Sequence, residues 1–146
     1  MITKLENGLY KIDCAVDPRK PNMNGVKYDL ESYMKAISEM DLARMKLTCT
    51  PQEFLNRDAV ECYRDAVEGL IIRLTDVIAN VIEIHYESET PYLIIRPISE
   101  MFESYTEIDC YAGARLIGNR NTDTKMIEIE YFTCWDIVPA SACNWK

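Results

Sequence analysis

One short run in the sequence combines side chains that can transfer protons or bind a metal. Glu83, His85 and Glu87 alternate over five residues. On a β-strand, residues two apart point to the same side, so an imidazole would lie between two carboxylates. Imidazole and carboxylates are ligands of transition metals, and a carboxyl group beside a base can act in acid–base catalysis. A small metal- or carboxylate-dependent enzyme is therefore one hypothesis, with Asp109 or Glu130 as a further ligand.

A solvated sheet face explains the same run without catalysis. One face of an antiparallel sheet is often exposed to water, and glutamate, histidine and arginine are typical of such faces. Other catalytic patterns are missing, since no glycine-rich phosphate loop and no Gly-x-Ser-x-Gly occurs, and His85 is the single histidine. We therefore predict no catalytic residues, no metal site and no cofactor. The missing catalytic patterns favour a protein that is not an enzyme.

The clearest structural pattern lies between Asn56 and Ser88. Apolar residues recur there at steps of three and four, which predicts a long amphipathic helix over residues 56–80. Its apolar positions are Val60, Tyr63, Val67, Leu70, Leu74, Val77 and Val81. The period then changes to two, which predicts a strand over residues 81–88. In that strand Ile82, Ile84 and Tyr86 face the core, and the run of Glu83, His85 and Glu87 faces water.

The remaining pattern predicts an α+β fold. Asn7-Gly8 between apolar stretches indicates a hairpin, and Asp29 can cap a second helix over about residues 30–46. Further strands are expected over residues 2–5, 9–16, 92–96, 106–111 and 125–135. In the last of these, Ile127, Ile129 and Tyr131 alternate with Glu128, Glu130 and Phe132. We expect a single domain over residues 1–146, with an antiparallel or mixed sheet of about four to six strands that carries both helices on one face.

Length and composition favour an intracellular globular protein. A chain of 146 residues with 48% hydrophobic content can build a core without disulfides or a structural metal. The six cysteines are therefore interpreted as reduced. No run of about 18 apolar residues is present, and the N-terminus lacks the apolar core of a signal peptide. We expect a cytoplasmic protein without a membrane span.

The charge distribution limits the choice of partner. The net charge is −8, and it is unevenly spread, because residues 1–50 carry +1 and residues 51–146 carry −9. Direct nucleic-acid binding is disfavoured, since phosphate contacts need a basic stripe. An acidic surface is suited to a protein partner with a basic surface.

These observations favour a small acidic binding protein that inhibits a basic, nucleic-acid-processing partner without catalysis. In size and charge the chain is similar to small phage counter-defence inhibitors and bacterial immunity proteins, which suggests a viral or mobile-element protein. The sequence is also compatible with a homodimer. The predicted partner-binding residues are Glu83, His85, Glu87, Glu107, Asp109, Glu128, Glu130, Tyr92 and Tyr131.

The alternative is a protein that binds or sequesters an anionic small molecule such as a nucleotide. Arginine contacts phosphate in a bidentate manner, and aromatic rings stack on bases. The residues predicted for this ligand site are Arg96, Arg115, Arg120 and Tyr111.

Overall fold

A computed structural model describes residues 2–21, 25–49 and 72–140, and a seven-stranded mixed sheet makes up most of it. In chain order the elements are β1 (Ile2–Lys4), β2 (Tyr10–Asp13), α1 (Leu30–Ser38), β3 (Lys46–Cys49), a 3-10 turn (Leu74–Asp76), β4 (Val77–His85), β5 (Tyr92–Pro97), α2 (Phe102–Tyr105), β6 (Cys110–Arg120) and β7 (Ile127–Pro139). The strand order is β1-β2-β5-β4-β3-β7-β6. Neighbouring strands are antiparallel, except that β3 and β7 are parallel.

The sheet curls until its two sides meet. Cys14, which directly follows β2, forms an isolated parallel bridge with Ala112 of β6, the strand at the opposite end of the strand order. The amide of Ala15 donates to the carbonyl of Ala112 at 2.9 Å. The inward face of the sheet therefore surrounds a single core, and every strand contributes to its wall.

The core is aromatic at the end of the sheet where α1 packs. Asp29 caps this helix by accepting a hydrogen bond from the Ser32 amide at 3.1 Å, as its sequence position predicts. The Ser32 hydroxyl accepts a hydrogen bond from the Ile129 amide of β7 at 2.9 Å, which fixes the helix against the sheet. Tyr33 is fully buried as a result, and its ring lies edge-on to those of Tyr86 and Phe132. At the other end α2 buries Phe102 against Tyr10.

The predicted fold class is wrong, because the long amphipathic helix over residues 56–80 is contradicted by strand β4. Leu74–Asp76 is a 3-10 turn, and Val77–His85 is a strand that begins where the helix was expected to continue. A short continuous apolar run is compatible with either element, and β-branched residues such as Val77 and Ile78 favour a strand. The earlier part of that prediction, residues 56–71, lies outside the described residues. Among the residues that are described, α1 and α2 are the helices, and both are short.

The second predicted helix is also too long. It ends at Ser38, and residues 46–49 form β3 near the middle of the sheet. A turn separates the two elements, in which the Arg44 amide donates to the Asp41 carboxylate at 3.1 Å. Turn chemistry of this kind offers the backbone an alternative to helical hydrogen bonds. The strand predicted over residues 106–111 is displaced as well, since β6 runs from Cys110 to Arg120.

Bulges change which side chains of the predicted strands are buried. In β7 the sequence pattern places Tyr131 inward and Phe132 outward, but Phe132 is fully buried and Tyr131 is 37% exposed. The cause is Glu130, an additional residue between the pairs Gly118–Ile129 and Ile117–Tyr131. Ile82 of β4, predicted to face the core, is likewise exposed at a bulge. One extra residue reverses the facing of the residues that follow, and a second extra residue, Thr133, reverses it again before Trp135.

The four described cysteines are free, and we expect two of them to resist modification in the native protein. Burial raises the pKa of the Cys14 and Cys134 thiols to about 12, and the thiolate is the reactive form. With iodoacetamide at pH 8, peptide mapping by mass spectrometry should find both unmodified until urea is added, whereas half-buried Cys49 serves as the comparison. Equal labelling of Cys134 with and without urea would contradict this burial.

The free energy of unfolding should also fall above about pH 9, because the thiols of Cys14 and Cys134 ionise at a lower pH in the unfolded chain than in the folded protein. Cys62 and Cys143 lie outside the described residues.

Candidate functional site

The alternating run of Glu83, His85 and Glu87, at the end of β4 and just beyond it, forms a compact group on the outer face of the sheet. His85 Nδ1 lies 3.2 Å from Glu87 Oε1, and His85 Nε2 lies 3.3 Å from Glu83 Oε1. The imidazole stacks on the ring of Tyr92, its cross-strand neighbour in β5, with centroids 4.6 Å apart. The period of two thus places these three side chains together, and the stack on Tyr92 fixes the histidine between its two carboxylates.

The possible metal ligands of this group do not converge on one point. Each imidazole nitrogen is engaged by a different carboxylate, on opposite sides of the ring. In the described part of the chain, no group of three or more His, Cys, Asp or Glu side chains could hold a metal ion. The side chains of Glu83 and Glu87 are 56% and 75% exposed. A hydrogen bond from its own backbone amide, followed by one from His85, lowers the pKa of the Glu87 carboxyl below its ordinary value, so Glu87 stays charged.

A second pair of carboxylates lies on β7, near the tip of the hairpin that β6 and β7 form. The side-chain amide of Asn121 donates to Glu128 Oε1 at 2.8 Å, and that of Asn119 donates to Glu130 Oε1. Both donors are neutral, so they orient the carboxylates without cancelling their charge. The glutamates are exposed.

The two pairs of carboxylates lie at the same end of the sheet. Strand β3 separates β4 from β7, and it pairs with Val77–Asn80 on one side and with residues 135–137 on the other. Residues 83–87 and residues 128–130 both extend past the beginning of β3, toward the end that α1 covers. We define the acidic rim as Glu83, Glu87, Glu128 and Glu130. Two of these residues lie on β7, and the other two lie at the end of β4 and just beyond it.

An aromatic side chain and an arginine lie between the two halves of the acidic rim. Arg44, in the turn before β3, places its guanidinium 4.5 Å from the ring centroid of Tyr131. The same guanidinium donates to the carbonyl of Phe132 at 3.0 Å. This contact holds the partly exposed Tyr131 ring in one orientation, which reduces the entropy lost if a partner packs on it.

The structure divides the residues that were predicted as one partner-binding surface. Glu107 and Asp109 lie between α2 and β6, at the opposite end of the sheet from the acidic rim. Tyr92 is covered, because His85 stacks on its ring and Lys11 Nζ lies 4.5 Å from the ring centroid. The acidic rim, His85 and Tyr131 therefore share one end of the sheet, and Tyr92 lies at that end under the His85 ring.

The residues predicted to hold an anionic ligand do not converge. Arg96 lies on β5 opposite Asn80, Arg120 ends β6, and Tyr111 lies near the beginning of the same strand. Arg115 forms an ion pair with Asp136 and also donates to Thr48 Oγ1 at 3.1 Å. Burial acts to lower the pKa of Arg115, but the hydrogen bond and charge of Asp136 outweigh it, so the pKa is raised. The guanidinium is committed to the protein itself.

Sequence reasoning selected Arg115 but missed its partners Thr48 and Asp136. Thr48 and Asp136 are 88 residues apart and meet through the parallel pairing of β3 and β7. No local pattern marks them, because no strand was predicted over residues 46–49 and Asp136 directly follows the last predicted strand. Only the strand order brings the three side chains together.

Comparisons with known proteins do not identify a family for this chain, so its function is inferred from its geometry. No helix in the described ranges has both the length and the apolar character needed to span a membrane. No protein-family model, curated protein or solved structure was found to match the chain.

Proposed function

We propose that the protein is a non-catalytic binding protein of the cytoplasm that inhibits a basic, nucleic-acid-processing protein by covering its basic surface with the acidic rim. One observation carries the proposal. Among the described residues, none of the four exposed glutamates of the rim has a lysine or arginine within ion-pair distance. Their charge is therefore available to a partner.

Uncompensated carboxylates at one end of a molecule act mainly on the rate of association. Complementary charges steer a partner into the correct orientation and can raise the association rate by about 10- to 1,000-fold at low salt. A protein that binds nucleic acid presents clustered lysine and arginine for phosphate contacts, and that cluster complements the acidic rim. Tyr131, flanked by Arg44, supplies the kind of aromatic anchor that carries binding energy at the centre of an interface.

The two alternatives receive less support from the geometry. An anionic ligand needs convergent cationic groups, but the three predicted arginines are separated and Arg115 is neutralised by Asp136. A metal-dependent enzyme needs ligands that converge on one point, whereas the carboxylates beside His85 lie on opposite sides of its ring. A surface that recognises positive charge fits the acidic rim better than either.

Charge reversal of the acidic rim should abolish fast association with the partner. The test variant carries Glu83→Lys, Glu87→Lys, Glu128→Lys and Glu130→Lys, and the partner is recovered by pulldown from the native host. We expect the association rate, measured by stopped-flow fluorescence, to fall by at least about 100-fold while dissociation changes little. For the unmodified protein the association rate should decrease steeply with added salt.

A matched control separates the site from the net charge. Four exposed glutamates at the opposite end of the sheet can be reversed to give the same total charge, namely Glu6, Glu100, Glu103 and Glu107. We expect this control variant to keep most of the association rate. If both variants slow association equally, the acidic rim is not the binding surface. If the pulldown recovers no protein and mass spectrometry finds a co-purifying anionic molecule, the proposed function is wrong.

A further inference from the structure

Strand β6 has a backbone edge that no other strand of the described chain covers along most of its length. It is 11 residues long and is the last strand of the sheet order. One side pairs with β7 along the whole strand. On the other side, Ala112 forms an isolated bridge with Cys14, and its carbonyl accepts a hydrogen bond from the Ala15 amide.

The register identifies the backbone groups that point away from β7. Backbone N–H and C=O groups of successive residues alternate between the two sides of a strand. The Ala112 carbonyl accepts a hydrogen bond from the Ala15 amide, so the backbone groups of Ala112 point away from β7. The backbone groups of the other even-numbered residues of β6 point to the same side. The bulges of this hairpin lie on β7, so the alternation along β6 is unbroken. The edge beyond the bridge is therefore formed by the backbone groups of Ala114, Leu116, Gly118 and Arg120.

Within the described residues, this edge lacks the features by which proteins protect exposed strands. Natural edges are shortened, interrupted by bulges or proline, or marked by lysine. The strand at the other end of the order, β1, has three residues and ends at Lys4. In contrast, residues 114–118 of β6 are Ala, Arg, Leu, Ile and Gly, and the arginine among them is held by Asp136. Along residues 114–120, no strand of the described ranges occupies the side of β6 where another strand could be added.

We infer that the β6 edge binds an extended, basic segment of the protein partner by strand addition. The inference rests on the proposed function and specifies how the partner is held. An added strand would lie about 4.8 Å from β6 and about 10 Å from β7. Its outward side chains would approach Glu128 and Glu130, which lie on the outer face of β7 and have no described cationic partner. Lysine and glutamate side chains together span that separation.

Charge also distinguishes the partner segment from a second copy of the chain. Pairing of β6 with β6 of another copy would bring together two proteins with a net charge of −8 each, with the acidic residues of both hairpins near the shared edge. Like charges at close range oppose such an interface, whereas lysines on a partner segment gain from it. A basic segment is therefore the occupant that the surface favours.

Amide hydrogen exchange can test the inference with a defined probe. The probe is a ten-residue peptide of alternating valine and lysine, added to the ¹⁵N-labelled full-length protein. In the free protein, the amides of Arg115 and Ile117, which face β7, should exchange slowly, and those of Leu116 and Gly118 should exchange fast. At saturating peptide we expect exchange at Ala114, Leu116, Gly118 and Arg120 to slow by at least about 10-fold, since hydrogen bonding protects amides.

Modified probes provide controls that leave the protein unchanged. In an antiparallel added strand, the valine amides would face β6 and the lysine amides would face solvent. We therefore expect N-methylation of the valines to abolish binding, and N-methylation of the lysines to preserve it.

A variant of the protein tests the charge contribution. Replacing Glu128 and Glu130 with lysine should weaken binding of the unmodified peptide at least about 10-fold.

Several results would overturn the inference without affecting the proposed function, which is judged by charge reversal against the full partner. The first is peptide binding that leaves the four edge amides unprotected, and the second is no binding at millimolar peptide. Unchanged affinity after the two glutamate substitutions would contradict a basic occupant. Protection of the edge amides in the free protein that disappears on dilution would show that a second copy occupies the edge.

Discussion

Replacing Asp136 with alanine should lower the free energy of unfolding by about 3–5 kcal/mol, because it removes the carboxylate that contacts a largely buried guanidinium. The Arg115 and Asp136 side chains are 13% and 12% exposed. Arg115 Nε donates to Asp136 Oδ2 at 2.9 Å, and Thr48 also donates to the same carboxylate. Urea denaturation with linear extrapolation measures the loss.

A double variant provides the matched control for this ion pair. Replacing Arg115 with methionine and Asp136 with leucine removes both charges and keeps apolar volume, so it should cost clearly less than Asp136→Ala alone. This order follows because an orphaned charge is more destabilising than an absent pair. A loss below about 1 kcal/mol for Asp136→Ala would show that water solvates Arg115 after the substitution and that the pair is not effectively buried.

Replacing Trp135 with alanine should destabilise the fold by about 3–5 kcal/mol, since it removes a large aromatic side chain from the middle of the core. Trp135 is fully buried, and its ring centroid lies 4.8 Å from that of Phe132. Its indole N–H donates to the Tyr86 hydroxyl at 3.2 Å. Urea melts followed by far-UV circular dichroism measure the change without relying on the tryptophan signal.

Trp135→Phe separates the packing contribution from the hydrogen bond. The phenyl ring fills much of the same space, and the Tyr86 hydroxyl keeps the Tyr33 hydroxyl 3.2 Å away as a partner. The lost hydrogen bond should cost about 0.5–1.5 kcal/mol, with a smaller cavity term than in the alanine variant. If the phenylalanine variant is as unstable as the alanine variant, the hydrogen-bonded chain of Trp135, Tyr86 and Tyr33 contributes more than the packing.

The sequence predicts those parts of the fold that depend on neighbouring residues. Asn7-Gly8 connects β1 to β2, both residues have positive φ angles, and the hairpin prediction is confirmed. The Asp29 cap is confirmed by its hydrogen bond to Ser32. The error at residues 74–80 has a local cause too, because Val77, Ile78 and Val81 fit a helical stripe and are buried on a strand instead. Apolar spacing alone does not distinguish these cases.

The candidate site was predictable only within single strands. The period of two places Glu83 and His85 on the same side of β4, Glu87 continues the alternation just beyond the strand, and both glutamates contact His85. The relation of that group to Glu128 and Glu130 depends on β3, a strand that the sequence pattern did not reveal. The separation of Glu107 and Asp109 from the rim depends on the strand order. Long-range pairing is set by the packing of the whole core, so no local pattern encodes it.

The parallel pairing of β3 with β7 has a consequence for the order in which the chain can fold. Leu47 pairs with Trp135, and Cys14 bridges Ala112, so the contacts that close the sheet join residues about a hundred positions apart in sequence. Loop closure over such separations must precede the contacts that compensate for it, which makes folding slow compared with a helical protein of this size. During synthesis, β3 has one of its two neighbours only after β7 has left the ribosome. Until then the first half of the chain exposes unpaired strand edges, and chaperone binding or rapid completion of synthesis would protect it from aggregation.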